Sequence, residues 1–170
     1  MVLHQQGFEE GRGYETFLIW YKWNGRDFEE YRSTNVVRNL NRFLDTAEEQ
    51  LVSGQWAVFI ETVLPDTREH ALRQQGLENY EILARIFTCE DSSSKDLFEP
   101  PLESGRFLKI IFPDFYETPF SREDVNRFEI PVQVRFIDKD NRSILCSAVI
   151  YMKRNPFEGQ QFGFKVRGTH

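Results

Sequence analysis

The stretch ETFLIWYKW-NG-RDFEEYR, residues 15–32, joins two runs rich in aromatic residues through an Asn-Gly pair. Asn-Gly is the preferred two-residue turn of a β-hairpin, because both central residues adopt positive φ. A turn at this point places Tyr21 opposite Phe28 and Lys22 opposite Asp27, which are an aromatic pair and a pair of opposite charges. The stretch therefore predicts a β-hairpin and an antiparallel sheet around it.

One long amphipathic helix is predicted directly after the hairpin, over residues 33–53. Its expected N-cap is Ser33 or Thr34, and Gly54 is the expected stop. Apolar side chains recur at the 3.6-residue period of a helix, and charged side chains fall between them. The apolar positions are Val36, Val37, Leu40, Phe43, Leu44, Ala47 and Leu51. One face of this helix is therefore expected to pack on the sheet.

The rest of the chain is predicted to be mostly β-structure, interrupted by short helices. The predicted strands are 55–64, 80–87, 106–112, a hairpin of 130–137 with 143–153, and an edge strand at 162–166. Short helices are predicted from 66 to 76 and from 121 onward. The predicted fold class is α+β: an antiparallel, strongly curved sheet of about six to eight strands, or a partly closed barrel, with one long amphipathic helix packed on it.

Length and composition predict one domain that covers residues 1–170. A chain of 170 residues with 16 Phe, 6 Tyr and 3 Trp can bury a sizeable core. Within it, residues 1–13 are expected to be flexible, and residues 88–105, rich in acidic residues, to form a mobile loop. The sequence contains no apolar run of signal or membrane-spanning length. We therefore expect a soluble intracellular protein, cytoplasmic or nuclear, with no membrane partner.

The two cysteines are far apart in the chain, and neither belongs to a CxxC pair or lies near a histidine in the sequence. Zinc binding is therefore not expected, and no other set of metal ligands is visible. Cys146 falls within a predicted strand, where a free thiol packs as a small apolar group. We expect Cys89 and Cys146 to be reduced thiols, with a disulfide as the alternative.

Motifs of catalysis and cofactor binding are not found in the sequence. Of the three histidines, His4 and His170 lie near the termini, and His70 falls in a polar helix. The segment at residues 11–13, Gly-Arg-Gly, lacks the third glycine of a dinucleotide fingerprint, and no Gly-Lys-Ser/Thr phosphate loop occurs. We expect no catalytic residue, no cofactor and no enzymatic activity; an active site assembled from distant residues is the remaining alternative.

The segment PDFYETPF, residues 113–120, concentrates aromatic side chains in a predicted loop, and loops run over the protein surface. Exposed aromatic rings are typical anchors of protein interfaces. The predicted anchors are Phe115, Tyr116 and Phe120, with Trp20 or Trp23 of the hairpin as neighbours. The alternative is that Phe115 and Phe120 close the bottom of the sheet. We therefore expect a non-catalytic protein–protein interaction module, a subunit or adaptor of an intracellular complex, that binds another protein or itself.

The last quarter of the chain is basic, although the whole chain carries a net charge of -6. Residues 132–170 contain seven Lys or Arg against three Asp or Glu, and basic residues alternate there with aromatics. This pattern favours single-stranded nucleic acid, held by charge and by stacking. The candidate residues are Lys153, Arg154, Phe162, Phe164, Lys165 and Arg167. Nucleic-acid binding is the alternative function, and an amphipathic final strand is the competing structural interpretation.

Overall fold

The structure is a computed structural model that describes residues 2–9, 13–64, 66–89, 94–99, 105–117, 129–155 and 159–167. Within these ranges the chain forms eight strands and five helices, and the strands belong to two antiparallel sheets. The α+β class is therefore confirmed. Phe120 and the short helix predicted from residue 121 onward lie outside the described residues.

The first sheet is a three-stranded antiparallel meander. Its strands are β1 (Val2–Glu9), β2 (Gly13–Trp23) and β3 (Phe28–Asn35), in the order β1-β2-β3. Residues 2–9, part of the segment predicted to be flexible, thus pair along their length with β2. The predicted hairpin is β2–β3, and its strands pair as expected in antiparallel orientation.

The turn of the β2–β3 hairpin is longer than the predicted two-residue turn. Trp23 pairs with Phe28, so residues 24–27 connect the strands. The side-chain oxygen of Asn24 accepts hydrogen bonds from the backbone N–H groups of Arg26 and Asp27, at 2.9 and 2.8 Å. This Asx arrangement stabilises the longer loop, and Gly25 supplies the positive φ of +102°.

The predicted cross-strand pairs of the hairpin were consequently wrong. Because the loop contains two more residues than expected, Lys22 pairs with Glu29 rather than with Asp27. For the same reason Tyr21 pairs with Glu30 rather than with Phe28. The opposite-charge pairing is preserved, since Lys22 meets an acidic residue in either register.

The second sheet has five antiparallel strands. They are β4 (Thr88–Cys89), β5 (Phe107–Ile111), β6 (Glu129–Asp138), β7 (Ser143–Asn155) and β8 (Gly159–Phe164). The order is β4-β7-β6-β5, and β8 also pairs with β7, so that β5 lies at one edge. The predicted hairpin across residues 138–142 is confirmed as β6–β7. The predicted strand at 106–112 is confirmed as β5.

The helices are α1 (Val36–Val52), α2 (Trp56–Val63), α3 (Asp66–Gln74), α4 (Asn79–Ile86) and α5 (Ser94–Phe98). Helix α1 is the predicted amphipathic helix, and most of its apolar stripe is buried. Its N-cap is Asn35, whose side chain accepts from the backbone N–H of Arg38 at 3.1 Å, rather than Ser33 or Thr34. Gly54 follows the helix with a φ of +76°, as its role as stop requires.

Two segments predicted as strands, 55–64 and 80–87, are helices α2 and α4, so these predictions were wrong. In α2 the buried residues Trp56, Phe59, Ile60 and Val63 follow helical spacing, whereas Val58 is exposed. Short apolar runs fit a buried helix and a buried strand equally well. For α4 the decisive feature is a capping box, in which Glu78 caps the helix and Glu81 lies at its third position.

The predicted strong curvature of the sheet, the partly closed barrel and the single helix were also wrong. Neither sheet closes on itself, and four further helices accompany α1, which spans 17 residues. The physical reason is that two segments predicted as strands, 55–64 and 80–87, are helices, and the described strands divide between two sheets.

Phenylalanine side chains form the centre of the core between the second sheet and the helices. Phe87, at the end of α4, has its ring centroid 5.1 Å from that of Phe136 on β6 and 5.5 Å from that of Phe164 on β8. The fully buried rings are Phe59, Phe87, Phe98, Phe107, Phe136 and Phe164. Such edge-to-face and tilted pairs add about 0.5–1.5 kcal/mol each beyond the burial of area.

None of the described helices is long and apolar enough to cross a membrane.

A disulfide joins Cys89 of β4 to Cys146 of β7. The two residues lie directly opposite each other in the register of these strands, with their Cα atoms 3.9 Å apart. The expectation of two reduced thiols was therefore wrong, because nothing in a separation of 57 residues indicates that the two strands pair. Disulfides persist mainly in oxidising environments and are rare in the cytosol. The bond therefore does not support the predicted intracellular location, which stays a prediction. β4 and α5 both lie within the predicted mobile loop at 88–105.

Candidate functional site

The distal part of the β2–β3 hairpin carries three large aromatic side chains that are more than half exposed. Trp23 is 57% exposed, Phe28 is 55% exposed and Tyr31 is 51% exposed. Trp23 and Phe28 contact each other edge to face, with ring centroids 5.2 Å apart. We call Trp23, Phe28 and Tyr31 the aromatic tip. The Trp23 and Phe28 rings therefore contact each other while more than half of each side chain stays exposed among the described residues.

The hairpin is anchored at its base and leaves the core toward its turn. Leu18 and Trp20 of β2 are buried and belong to the core cluster that includes the apolar face of α1. The pairing of β2 with β3 shifts between Trp20 and Tyr21, which marks a β-bulge. A bulge redirects the side chains that follow it. Beyond this bulge every residue from Lys22 to Tyr31 is exposed.

Charged side chains surround the aromatic tip in balanced numbers. Residues 22–32 contain three basic and three acidic side chains, although the whole chain has a net charge of -6. Lys22 forms an ion pair with Glu29 at 3.3 Å, and its ammonium group lies 5.5 Å from the centroid of the Tyr31 ring. Lys22, Glu29 and Tyr31 therefore contact one another on one face of the hairpin, whereas Trp23 and Phe28 pair on the opposite face.

The predicted anchors are only partly exposed. Phe115 and Trp20 are buried in the core, at 5% and 6% exposure, and Tyr116 is half-buried. The backbone N–H of Phe115 donates to the side-chain oxygen of Asn41 at 3.3 Å, so that this loop is fastened to α1. Trp23 is the one predicted hairpin residue that is exposed at the tip. The interface role of Trp23 and Tyr116 stays a prediction.

Phe28 and Tyr31 belong to the aromatic tip but were not singled out in the sequence. Phe28 was expected to pair with Tyr21, and the longer turn moves it beside Trp23 instead. A clue was present in the sequence, because residues 24–27 between Trp23 and Phe28 are polar or glycine, and a four-residue turn there brings the two rings opposite each other. The exposure of these rings depends on the bulge, which no local pattern indicated.

A groove of about 300 Å³ lies between α1 and β5. It is separate from the residues of the aromatic tip, and part of the predicted 113–120 loop forms one of its ends. The lining residues are Asn41, Leu44, Asp45 and Glu48 of α1, Lys109, Ile110 and Ile111 of β5, and Phe112, Pro113, Asp114 and Tyr116 of the following loop. We call this feature the α1–β5 groove.

Among the described residues, two titratable side chains have a shifted pKa, Asp138 and Tyr151, and neither lines the α1–β5 groove. Burial raises the pKa of Tyr151 on β7 above its usual range. Burial would also raise the pKa of Asp138, but hydrogen bonds from the backbone and side chain of Arg142, its charge and the Asp140 N–H outweigh this effect and lower it. Among the described residues, no cluster of three or more His, Cys, Asp or Glu could hold a metal ion.

The residues proposed to bind nucleic acid lie mostly inside the fold or outside the described side chains. Phe162 and Phe164 are buried and pack against Phe43 of α1, with centroid distances of 5.7 and 5.6 Å. Lys165 forms an ion pair with Glu129 at 2.6 Å, and Arg167 donates to the Ser147 hydroxyl at 3.4 Å. Lys153 and Arg154 belong to β7, but their side chains are outside the described part. The buried rings are therefore not free to stack on bases, and the nucleic-acid alternative stays a prediction.

Comparison of the chain with protein families, with curated proteins and with solved structures found no match.

Proposed function

We propose that the protein is a non-catalytic protein–protein interaction module, and that the aromatic tip is the centre of its contact surface. The observation that carries the proposal is the edge-to-face pair of Trp23 and Phe28, both more than half exposed at the end of a hairpin whose base is buried. The largest contiguous apolar patch on a monomeric protein is often a functional surface. Trp and Tyr are also the residues most enriched among interface anchors.

The magnitude of the apolar contact indicates how far the interface extends. Each of the three rings leaves about 100 Å² of side-chain surface exposed, since an aromatic side chain buries about 150–250 Å² when it is fully covered. Trp23 and Phe28 share one face of the hairpin, and covering these two rings contributes about 5 kcal/mol at about 25 cal/mol per Å². Association costs about 4–15 kcal/mol in lost freedom of motion. The tip alone therefore supports weak binding, and a stable complex needs contacts beyond the three rings.

The outer edge of β3 supplies such contacts. β3 is an edge strand, because the order of the first sheet is β1-β2-β3 and no other described strand pairs with it. An edge strand offers backbone N–H and C=O groups to a strand of a second chain. The charges around the tip are balanced, which favours an apolar patch on the partner over a strongly charged one. A partner with an apolar patch and an exposed strand or loop beside it fits this surface.

The proposal is tested by comparing three tagged forms of the protein in affinity purification from the native source. The forms are the wild type, the double variant Trp23→Ala/Phe28→Ala and the control variant Val58→Ala, which removes a 43% exposed apolar side chain of α2. We expect a protein to co-purify with the wild type and the control and to be lost at least tenfold from the tip variant. Each truncated anchor should weaken binding by about 2 kcal/mol or more.

Two control measurements make the comparison decisive. Circular dichroism and thermal unfolding should show that the tip variant is folded, because Trp23 and Phe28 contact each other rather than the core. Light scattering of the purified wild type determines whether the partner is a second copy of the chain. Retention of the co-purifying protein by the folded tip variant would overturn the proposal, as would its loss from the Val58 variant to the same degree.

A further inference from the structure

The α1–β5 groove runs along the backbone edge of β5 rather than across a face of the sheet. Successive side chains of a strand point to opposite faces, so a cavity on one face is lined by alternate residues. The α1–β5 groove is lined by five successive residues, Lys109 to Pro113. Lys109, Ile110 and Ile111 of this run belong to β5, and three successive strand residues share one lining where the groove follows the strand edge. Among the described strands β5 pairs with β6 alone, so this edge carries no partner strand there.

Helix α1 forms the opposite wall of the α1–β5 groove with one of its faces. Asn41, Leu44, Asp45 and Glu48 have the spacing i, i+3, i+4 and i+7, which places them on the same side of a helix. Leu44 is buried at the floor, whereas Asp45 is exposed and Glu48 is half-buried. A strand added to β5 would lie about 4.8 Å from it, beside this face of α1.

The charges of the α1–β5 groove are mainly negative. Its lining includes three carboxylates, Asp45, Glu48 and Asp114, against the single ammonium group of Lys109. Neither Asp45 nor Glu48 forms an ion pair or a hydrogen bond with the described residues, so both carboxylates can accept from a ligand. Because like charges repel and opposite charges attract, the groove favours a basic ligand.

The end of the α1–β5 groove is held in place by the loop at 113–117. The Asn41 side chain donates to the carboxylate of Asp114 at 3.3 Å and accepts from the backbone N–H of Phe115 at 3.3 Å. The same Asp114 oxygen also accepts from the backbone N–H of Tyr116 at 2.8 Å. The Phe115 ring is buried beneath this loop. The groove is therefore preformed, which lowers the entropy that binding must overcome.

We propose that the α1–β5 groove binds a short, extended, basic segment of a partner protein, which adds to the edge of β5 as a further antiparallel or parallel strand. Backbone hydrogen bonds to β5 supply affinity, and Lys or Arg side chains facing Asp45 and Glu48 supply specificity. β5 contributes three residues to the lining, Lys109 to Ile111, so backbone pairing is expected over about three residues of the segment, at about 3.3 Å per residue. This site is independent of the aromatic tip, so either can fail without the other.

The proposal is tested with a defined peptide and the full-length protein labelled with nitrogen-15. The probe is acetyl-Arg-Val-Lys-Ile-Arg-amide, whose basic side chains all point to one face when it is extended. We expect amide chemical-shift changes on titration at residues 109–111 of β5, at Phe112 of the following loop and at residues 41–48 of α1. Affinity should fall at least tenfold for the double variant Asp45→Asn/Glu48→Gln and should stay unchanged for the matched control Glu49→Gln, which alters the exposed neighbouring acid on α1.

Two further peptides separate strand addition from a general attraction for cations. The peptide with Glu at its three basic positions should bind at least tenfold more weakly than the probe. The probe with N-methyl groups on alternate amides keeps its charge but loses backbone donors, and it should also bind at least tenfold more weakly. Equal binding by the N-methylated peptide, shift changes confined to other surfaces or no shift changes at millimolar probe would each overturn the proposal. The Trp23→Ala/Phe28→Ala variant should bind the probe like the wild type, which distinguishes this site from the aromatic tip.

Discussion

Gly163 on β8 has no room for a side chain. A Cβ at this position would overlap with the ring of Tyr151 and with the backbone carbonyl oxygen of Val63 at the end of α2. Tyr151 is partly buried there, and this burial raises the pKa of its hydroxyl. The tyrosine ring could rotate away from a methyl group, but the backbone of α2 could not. A single hydrogen atom at Gly163 therefore lets the helix pack closely on β8.

We predict that Gly163→Ala destabilises the protein by about 2–3 kcal/mol, as overpacking of a well-filled site does. Gly25→Ala is the matched control, because Gly25 has a φ of +102° but open space around it. Its cost is the backbone strain alone, about 1 kcal/mol. Urea unfolding of the three proteins measures both values. Equal destabilisation by the two variants would show that close approach at Gly163 is not the reason for the glycine.

Asp138 organises the β6–β7 turn through its carboxylate. One of its oxygens accepts from the backbone N–H groups of Asp140 and Arg142, at 3.0 and 2.9 Å, and the other accepts from the Arg142 guanidinium at 2.8 Å. Asn141 in the same turn has a positive φ of 60°. These hydrogen bonds outweigh the effect of burial and lower the pKa of Asp138. The β6–β7 turn is thus held by an acidic side chain that binds the backbone of the turn itself.

The lowered pKa of Asp138 predicts a definite pH dependence of stability. A carboxylate whose pKa is lower in the folded state stabilises the fold above its unfolded pKa of about 3.9, and this contribution is lost as the pH falls through the folded pKa. We expect Asp138→Asn to cost about 1–2 kcal/mol at pH 7. The difference from the wild type should shrink below about pH 4. A difference that stays constant from pH 7 to pH 2.5 in urea unfolding would refute the role of the charge.

At the scale of elements, the sequence predicted correctly the secondary structure of segments whose signals lie within the segment or in the adjoining turn. Helix α1 and the two hairpins were predicted because their signals, an amphipathic period and turn residues, lie within the element itself. The segments at 56–63 and 79–86 were misassigned, since their apolar residues fit either a helix or a strand and only tertiary packing decides. The hairpin register was shifted because the Asn24 side chain stabilises a longer loop.

The disulfide between β4 and β7 is the strongest long-range constraint on an element. β4 contains two residues, and its pairing with β7 is fixed by the bond from Cys89 to Cys146. We predict that Cys89→Ser lowers the free energy of unfolding by about 2–4 kcal/mol, since the bond closes a long loop in the unfolded chain. The oxidised wild type should contain no thiol that reacts in denaturant until a reductant is added. Two reactive thiols in the denatured, unreduced protein would show that the bond is not formed.

At the scale of the whole molecule, the candidate site could be predicted only in part. The sequence indicated that aromatic residues of the first hairpin and of the 113–120 loop bind a partner, and Trp23 is indeed exposed. The sequence could not show that Phe115 is a core residue rather than an interface anchor, because the burial of a loop ring depends on the elements packed around it. Here the Asn41 side chain of α1 accepts from the Phe115 backbone N–H and fastens the loop to the helix. The α1–β5 groove was not predictable at all, since it exists only where two elements distant in the chain meet.

The two proposed surfaces have different chemistry. The aromatic tip presents apolar rings within balanced charges, whereas the α1–β5 groove presents carboxylates along an open strand edge. Added salt should therefore weaken binding in the groove more than binding at the tip, because exposed charges are screened over about 8–10 Å at physiological ionic strength. The two proposals together predict that the molecule holds two partners, or two parts of one partner, at the same time.

Site-specific photo-crosslinking tests the central claim most directly. Phe28 is replaced by p-benzoyl-phenylalanine in one form of the protein, and Val58, an exposed apolar residue of α2, in the other. Each form is irradiated in extract of the native source and separated by mass. We predict a discrete adduct with one protein from position 28 and at most one tenth of that yield from position 58. An equal yield from position 58, or no adduct from position 28, would contradict a binding role for the aromatic tip.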